Sequence, residues 1–161
     1  MQLRSATRDD SALILSLIRE LAEFEHLLHE VAADEATLAE HLFGAQPRAE
    51  VLIAQVAGET AGFALYFHNF STFLGKPGLY LEDLYIRPAY RGRGYGRSIM
   101  QRLARIAVER GCGRFEWWVL DWNHPAIEFY RSLGAQPMND WTVQRVSGDA
   151  LKSLADDLPS L

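Results

Sequence analysis

Six consecutive residues, Arg91, Gly92, Arg93, Gly94, Tyr95 and Gly96, stand just before an apolar repeat at helical spacing. Their glycines lack the Cβ atoms that keep a backbone away from a ligand. The first N–H groups of a helix have no intrahelical partner and carry the positive end of its dipole, so a turn of this kind can aim several of them at one anion. Arg91, Arg93 and Arg97 add positive charge around the same point. A phosphate fits there. The two common nucleotide motifs fit less well: a P-loop needs Gly-Lys followed by Ser or Thr, and a dinucleotide fingerprint counted from Gly92 needs a glycine where Arg97 stands.

Two other places could handle protons. Glu82 and Asp83 are consecutive among Tyr80, Leu81, Leu84 and Tyr85, so strand alternation would send them to opposite faces with at least one partly buried. Such a carboxylate either pairs with an arginine, Arg87 or Arg114, or serves as a general base. Tyr130 shares a helical face with Ala126, Ile127 and Leu133 and points inward, where it either packs as core or offers an O–H. His26 and His29, beside Glu25 and Glu30, are too few and too isolated to define a metal site, and none is expected. Cys112, the only cysteine, lies between two glycines and reads as a small buried residue with no assigned chemistry.

The elements that must position these groups follow from periodicity. A strand over 2–6 precedes a helix that the pair Asp9 and Asp10 can cap and whose stripe is Leu13, Ile14, Leu17, Ile18, Leu21 and Phe24. Asp34 opens a second helix that Gly44 stops. Runs 49–57 and 60–68 read as a hairpin, 69–78 as either a wall of a site or a long hairpin loop, and 79–87 as a central strand ended by Pro88. A helix established from Ser98 and a strand over 113–120 complete a βαβ unit, in which the second strand returns parallel by a right-handed crossover. Asn123 caps a further helix ended by Gly134, a last strand spans 141–146, and a short helix over 149–154 leads into a frayed acidic tail.

Composition bounds the setting. A chain of 161 residues that is 48% hydrophobic has the size of one domain, 1–161, with a sizeable core. No apolar run is long enough to span a bilayer, and no signal-peptide core follows Met1, so a cytoplasmic protein is expected. A net charge of −5 speaks against a general nucleic-acid binder. The charge is unevenly spread: acidic residues crowd the first third at Glu20, Glu23, Glu25, Glu30, Asp34, Glu35 and Glu40, while arginines dominate 87–114. One part suits a cation and another an anion.

Five segments stand in a telling order: ELAEFE (20–25), LYLEDLY (79–85), RGRGYG (91–96), VLDWN (119–123) and FYRSLGAQ (129–136). The glycine loop matches the Arg-x-x-Gly-x-Gly signature of the GCN5-related N-acetyltransferases (GNAT). The whole set resembles their spermidine/spermine (diamine) and thialysine branch. The resemblance implies an α/β (α+β) fold whose mixed, mostly antiparallel sheet is flanked by helices and splayed between the central strand and the parallel strand after it. It implies acetyl-CoA as co-substrate, no metal, a small cationic amine as acceptor and a homodimer. In its terms Leu84, Tyr85 and Ile86 pair with pantetheine, and Arg91, Gly92, Arg93, Gly94, Tyr95 and Gly96 hold the pyrophosphate. Asn123, Pro125, Ala126, Tyr130 and Arg131 line the remainder of the coenzyme. Phe24, Glu25, Glu82, Glu116 and Asp140 match amine-binding positions, with Glu82 as proton acceptor and Tyr130 as proton donor to the departing sulfur. The alternatives are acetylation of a protein amine and a non-catalytic acyl-CoA-binding module. Within the branch, VLDWN and GAQ favour amines of the thialysine type over polyamines.

Overall fold

The computed structural model of the chain describes residues 1–156. The chain divides into two compact units, Met1–Leu120 and a second from Asp121 onward. The first holds a five-stranded sheet of β1 (Gln2–Ser5), β2 (Glu50–Val56), β3 (Glu59–Ser71), β4 (Lys76–Ile86) and β5 (Arg114–Trp117), which lie side by side in chain order. All neighbours are antiparallel except β4 and β5, which run parallel. Helices α1 (Ser11–Phe24), α2 (Glu35–Phe43) and α3 (Tyr95–Glu109) belong to the same unit.

Strand alternation gives the sheet two apolar faces. Ile53, Phe63 and Tyr85 pack with Ile14, Leu17 and Leu21 of α1 and Leu42 of α2. The alternate residues Leu52, Ala54 and Ala64 are buried as well, on the other face. Helix α3 packs beside β4 and β5 and buries Ile99, Leu103 and Ile106. Asp34 caps α2 by accepting the Thr37 N–H at 2.8 Å. Asp10 holds the N-cap position of α1, yet its carboxylate turns back to Arg4 at 2.7 and 2.8 Å and to the Thr7 N–H at 2.8 Å. That clamp fixes the β1-to-α1 turn and holds the Asp10 carboxyl well below the usual carboxylate range, with the Arg4 hydrogen bond as the main cause.

Four expectations need correction. The segment 69–78 is mostly ladder: β3 runs to Ser71, β4 starts at Lys76, and only 72–75 turn. Asn69 stands opposite Gly78, and its Oδ1 lies 2.2 Å from where a Cβ on Gly78 would be, so the missing side chain lets the strands continue. Helix α3 starts at Tyr95 rather than Ser98, because Gly94 at φ +78° serves as its N-cap. Residues 141–146 form no strand; Trp141, Val143 and Val146 are half or more exposed. Strand-forming side chains there have no ladder partner among the described residues, and a strand exists only by pairing. Strand β5 is also shorter than 113–120.

The second unit consists of α4 (His124–Arg131) and α5 (Gly148–Asp156) with the extended chain between them. The expected tail beyond Asp156 lies outside the described residues. Among the described residues no helix is long and apolar enough to cross a membrane.

One glycine carries a direct test of the sheet. A Cβ on Gly62 of β3 would lie 2.1 Å from the Tyr85 carbonyl oxygen and 2.9 Å from Ile86 Cδ1 on β4. The first of these is backbone and can yield only by moving the strand. Gly62→Ala should therefore destabilise the protein by about 1–3 kcal/mol, read as a lower Tm in thermal melts.

Candidate active site

The site starts from one irregularity in the sheet. Leu65 of β3 pairs with Asp83 of β4 and the next residue, Tyr66, pairs with Leu81, so Glu82 is an extra residue with no partner across the ladder. An insertion of this kind is a β-bulge, which bends the strand and resets side-chain alternation. The parallel ladder to β5 runs from Gly78 to Leu81 and stops at the same place. From Glu82 to Ile86 the β5-side edge of β4 has no ladder partner among the described residues, which leaves backbone groups there for a ligand.

The bulge breaks the plain two-residue alternation expected through Glu82 and Asp83. Asp83, paired with Leu65, lies on the α1 side of the sheet, and the charges of Glu82 and Glu25 both reach it. Burial first, then Glu82, then Glu25 push the Asp83 carboxyl up to about 7. Burial also raises Glu25. Helix α1 ends at this carboxylate: Glu25 is its C-cap, and His26 at φ +62° turns the chain so that the Leu27 N–H reaches the Ala22 carbonyl at 2.7 Å. The C-terminal end of a helix is negative and adds to the attraction for a cation.

Neither arginine proposed as a partner for these acids takes that role. Arg87 binds Glu20 of α1 in a bidentate pair at 2.7 and 2.9 Å and donates to the Thr60 carbonyl at 3.0 Å. Arg114 Nε lies 2.8 Å from Glu116 Oε2, which also accepts the Asn69 amide at 3.0 Å. None of the ion pairs among the described residues engages Glu25, Glu82 or Asp83. Glu116 is thus already held by two partners, opposite Tyr80 on the closed part of the β4–β5 ladder. Phe24 is partly exposed at the end of α1 and lies under the Arg91 guanidinium, 4.6 Å from its ring centroid.

At the other end of the splayed segment, β4 leaves through Arg87, a 3₁₀ turn over Pro88–Tyr90, and the glycine loop. Gly92 and Gly94 have φ of +72° and +78°, and nothing lies within 4 Å of where their Cβ atoms would be. The Ser98 N–H makes the first helical bond, to the Gly94 carbonyl at 3.1 Å. The N–H groups of Tyr95 and Gly96 precede that bond, and a glycine N-cap has no side chain with which to cap them. A phosphate-bearing coenzyme therefore fits the loop as built. Between the loop and the carboxylates, 82–86 spans roughly 13 Å of extended chain.

In the second unit the Asn123 side chain accepts the Ala126 N–H at 3.3 Å, and Pro125 sits in the first turn of α4. Ala126, Ile127, Tyr130 and Leu133 are half-buried along one face, as the spacing predicts, and the Phe129 and Tyr130 rings lie 5.2 Å apart. Arg131 pairs with Glu128 at 2.6 Å. Asp140 lies in an exposed turn at 139–140. The site residue that sequence reasoning left without a role is Asp83. Its one sequence signal was its place beside Glu82, because a bulge is set by strand register and leaves no mark in residue types.

Comparison with known proteins agrees with this geometry. The acetyltransferase (GNAT) family matches residues 15–135. The chain is 39% identical to the thialysine N-epsilon-acetyltransferase of Mus musculus, covering 96% of each, and 32% identical to an L-ornithine N5-acetyltransferase of Arabidopsis thaliana over 95% of this chain and 87% of that one. An integron cassette protein of V. cholerae superposes with a TM-score of 0.81 at 26% identity, covering 97% of this chain and 98% of the other. With the splayed β4–β5 pair and the glycine loop at the start of α3, these matches establish that the chain belongs to the GNAT acetyltransferase family and is an acyltransferase.

Proposed function

We propose that this acetyltransferase moves an acetyl group directly from acetyl-CoA to a primary amine of a small cationic substrate, with thialysine-like and lysine-like amines ahead of diamines and polyamines. One observation carries the reading: Glu25, Glu82 and Asp83 crowd together without a paired cation where β4 splays, one end of the same segment whose other end leads to the glycine loop at the start of α3. An ammonium is the counter-ion that such a cluster lacks. The activities that the mouse and Arabidopsis relatives are named for, on thialysine and on ornithine, are of this chemical class.

Bound acetyl-CoA supplies a thioester carbonyl as electrophile. The N–H groups of Tyr95 and Gly96, with Gly92, Arg93 and Gly94 of the loop that follows Arg91, hold its pyrophosphate. Leu84, Tyr85 and Ile86 offer backbone to its pantetheine arm, and Asn123, Pro125, Ala126 and Arg131 line the remainder. An alkyl ammonium has a pKa near about 10.4 and cannot attack until a proton leaves. Glu82, through water, takes that proton. Phe24, Glu25 and Asp83 hold the cationic chain, with Glu116 and Asp140 as further acidic contacts, and the Tyr130 O–H protonates the departing sulfur. The same reading carries a homodimer, which rests on the resemblance, and a cytoplasmic setting, which rests on the composition of the sequence.

Thialysine, ornithine, spermidine and a short diamine competing at equal concentration test the substrate class through their kcat/KM values. A spermidine value tenfold above thialysine, about 1.4 kcal/mol of transition-state preference, would overturn the order. Tyr130→Phe should lower kcat by roughly 10²-fold or more with little change in Tm; near-normal turnover would show that the ring only packs.

The raised Asp83 carboxyl gives a signed pH prediction. Its folded value of about 7 exceeds its ordinary 3.8, so between these values the folded state binds more protons than the unfolded one. Stability therefore falls as pH rises through that window. Asp83→Asn removes the slope: its Tm should match wild type near pH 4 and exceed it at pH 8. The same change should raise the KM of the amine by roughly tenfold, since one charge-assisted contact is lost. A variant less stable than wild type at pH 8 would show that Asp83 is an ion-paired carboxylate.

A further inference from the structure

The RGRGYG loop reads as a ring of phosphate ligands, but the Arg91 side chain runs back toward the amine end of the site. Its Nε donates to the Ile86 carbonyl at 2.8 Å, where β4 ends. Its guanidinium carbon lies 4.6 Å from the Phe24 ring centroid and 5.5 Å from that of Tyr85. The Nε–H and the guanidinium are therefore already engaged, and the contacts tie the start of the glycine loop to two elements, the last residue of α1 and the splayed half of β4. Phe24 adjoins Glu25, and Tyr85 follows Asp83 by two residues on the same face of β4.

We propose that Arg91 is a positioning residue for the amine site, tying the end of α1 to the exit of β4 and so setting how Phe24 and Glu25 stand over Glu82 and Asp83. This rests on the amine-acetyltransferase reading given above. It leaves pyrophosphate binding to the backbone N–H groups at the start of α3 and to Arg93. It also gives the loop a mechanical link to the acceptor side, because ordering residues 92–96 around an anion restrains the arginine that holds Phe24. The coupling works in both directions: coenzyme bound at the loop tightens the amine, and amine bound at the cluster tightens the coenzyme by the same factor.

Lysine separates this role from that of a phosphate ligand. It keeps the positive charge that a phosphate would use, but it lacks both the planar guanidinium that covers a ring and the Nε–H that reaches the Ile86 carbonyl. Calorimetric titration of CoA into wild type, Arg91→Ala and Arg91→Lys gives one readout, and the amine's KM against kcat gives a second. Both variants should keep the Kd for CoA within about threefold of wild type in the absence of amine while raising the amine's KM by roughly five- to tenfold, with the smaller effect on kcat. In a Phe24→Leu background, which removes the ring under the guanidinium, Arg91→Lys should have less than half of its effect on KM. A tenfold loss of CoA affinity in Arg91→Ala that Arg91→Lys restores would overturn the proposal, as would fully multiplicative effects of Phe24→Leu and Arg91→Lys. The CoA titrations need no turnover. A wild-type protein that binds CoA but acetylates no amine would remove the amine reading, while those titrations would still decide whether Arg91 is a phosphate ligand.

Discussion

A single unpaired residue in β4 is the constraint on which the site depends. A parallel pair of strands normally buries its ladder groups along its whole length, and a coenzyme could not reach them. Here the insertion at Glu82 coincides with the end of pairing to β5, so the rest of β4, through Ile86, carries an open edge while its other edge stays paired to β3. The strand can hold this shape because its far side is tightly fixed. The Tyr85 carbonyl occupies the space left by Gly62, the Arg87 N–H bonds the Ala61 carbonyl at 2.9 Å, and the bidentate Glu20–Arg87 pair joins the strand exit to α1. An open edge alone would invite disorder or aggregation; a clamped one makes a template for a ligand.

The same segment separates charge. At its start, the C-terminal end of α1 and three carboxylates create a negative site; after its end, the glycine N-cap of α3 and the loop arginines create a positive one. A helix end contributes to each, a place where a protein can present partial charge without burying a full ion. Arginines that would neutralise the acidic end are diverted: Arg87 to Glu20 and Arg114 to Glu116. The crowding left at Asp83 is unfavourable in the free protein; in the proposed reading a cationic substrate is what relieves it.

The turn geometry of the glycine loop was legible from residue types alone, since positive φ demands glycine, and Gly92 and Gly94 have those angles. The amphipathic stripes of α1, α3 and α4 and the caps at Asp34 and Asn123 were legible for the same reason: each depends on neighbours within one or two turns. Length and charge likewise bounded the class of protein without reference to any contact. Five ordered segments were enough to identify the family.

What only the tertiary structure decided concerns partners far apart in sequence. Residues 69–78 looked like a loop because turn-forming types abound there, and they became ladder because Gly78 leaves room for Asn69 across the hairpin. Residues 141–146 looked like a strand because their types suit one, but pairing needs a neighbour that no local pattern supplies. The break in alternation at Glu82 is set by the register with Leu65 and Tyr66, which no local pattern records. Helix caps and glycine turns are settled by torsions and hydrogen bonds a few residues apart, so the chain itself determines them. Register, ion-pair choice and the direction of Arg91 are settled by which distant atoms the fold brings within reach, and only the folded chain determines those.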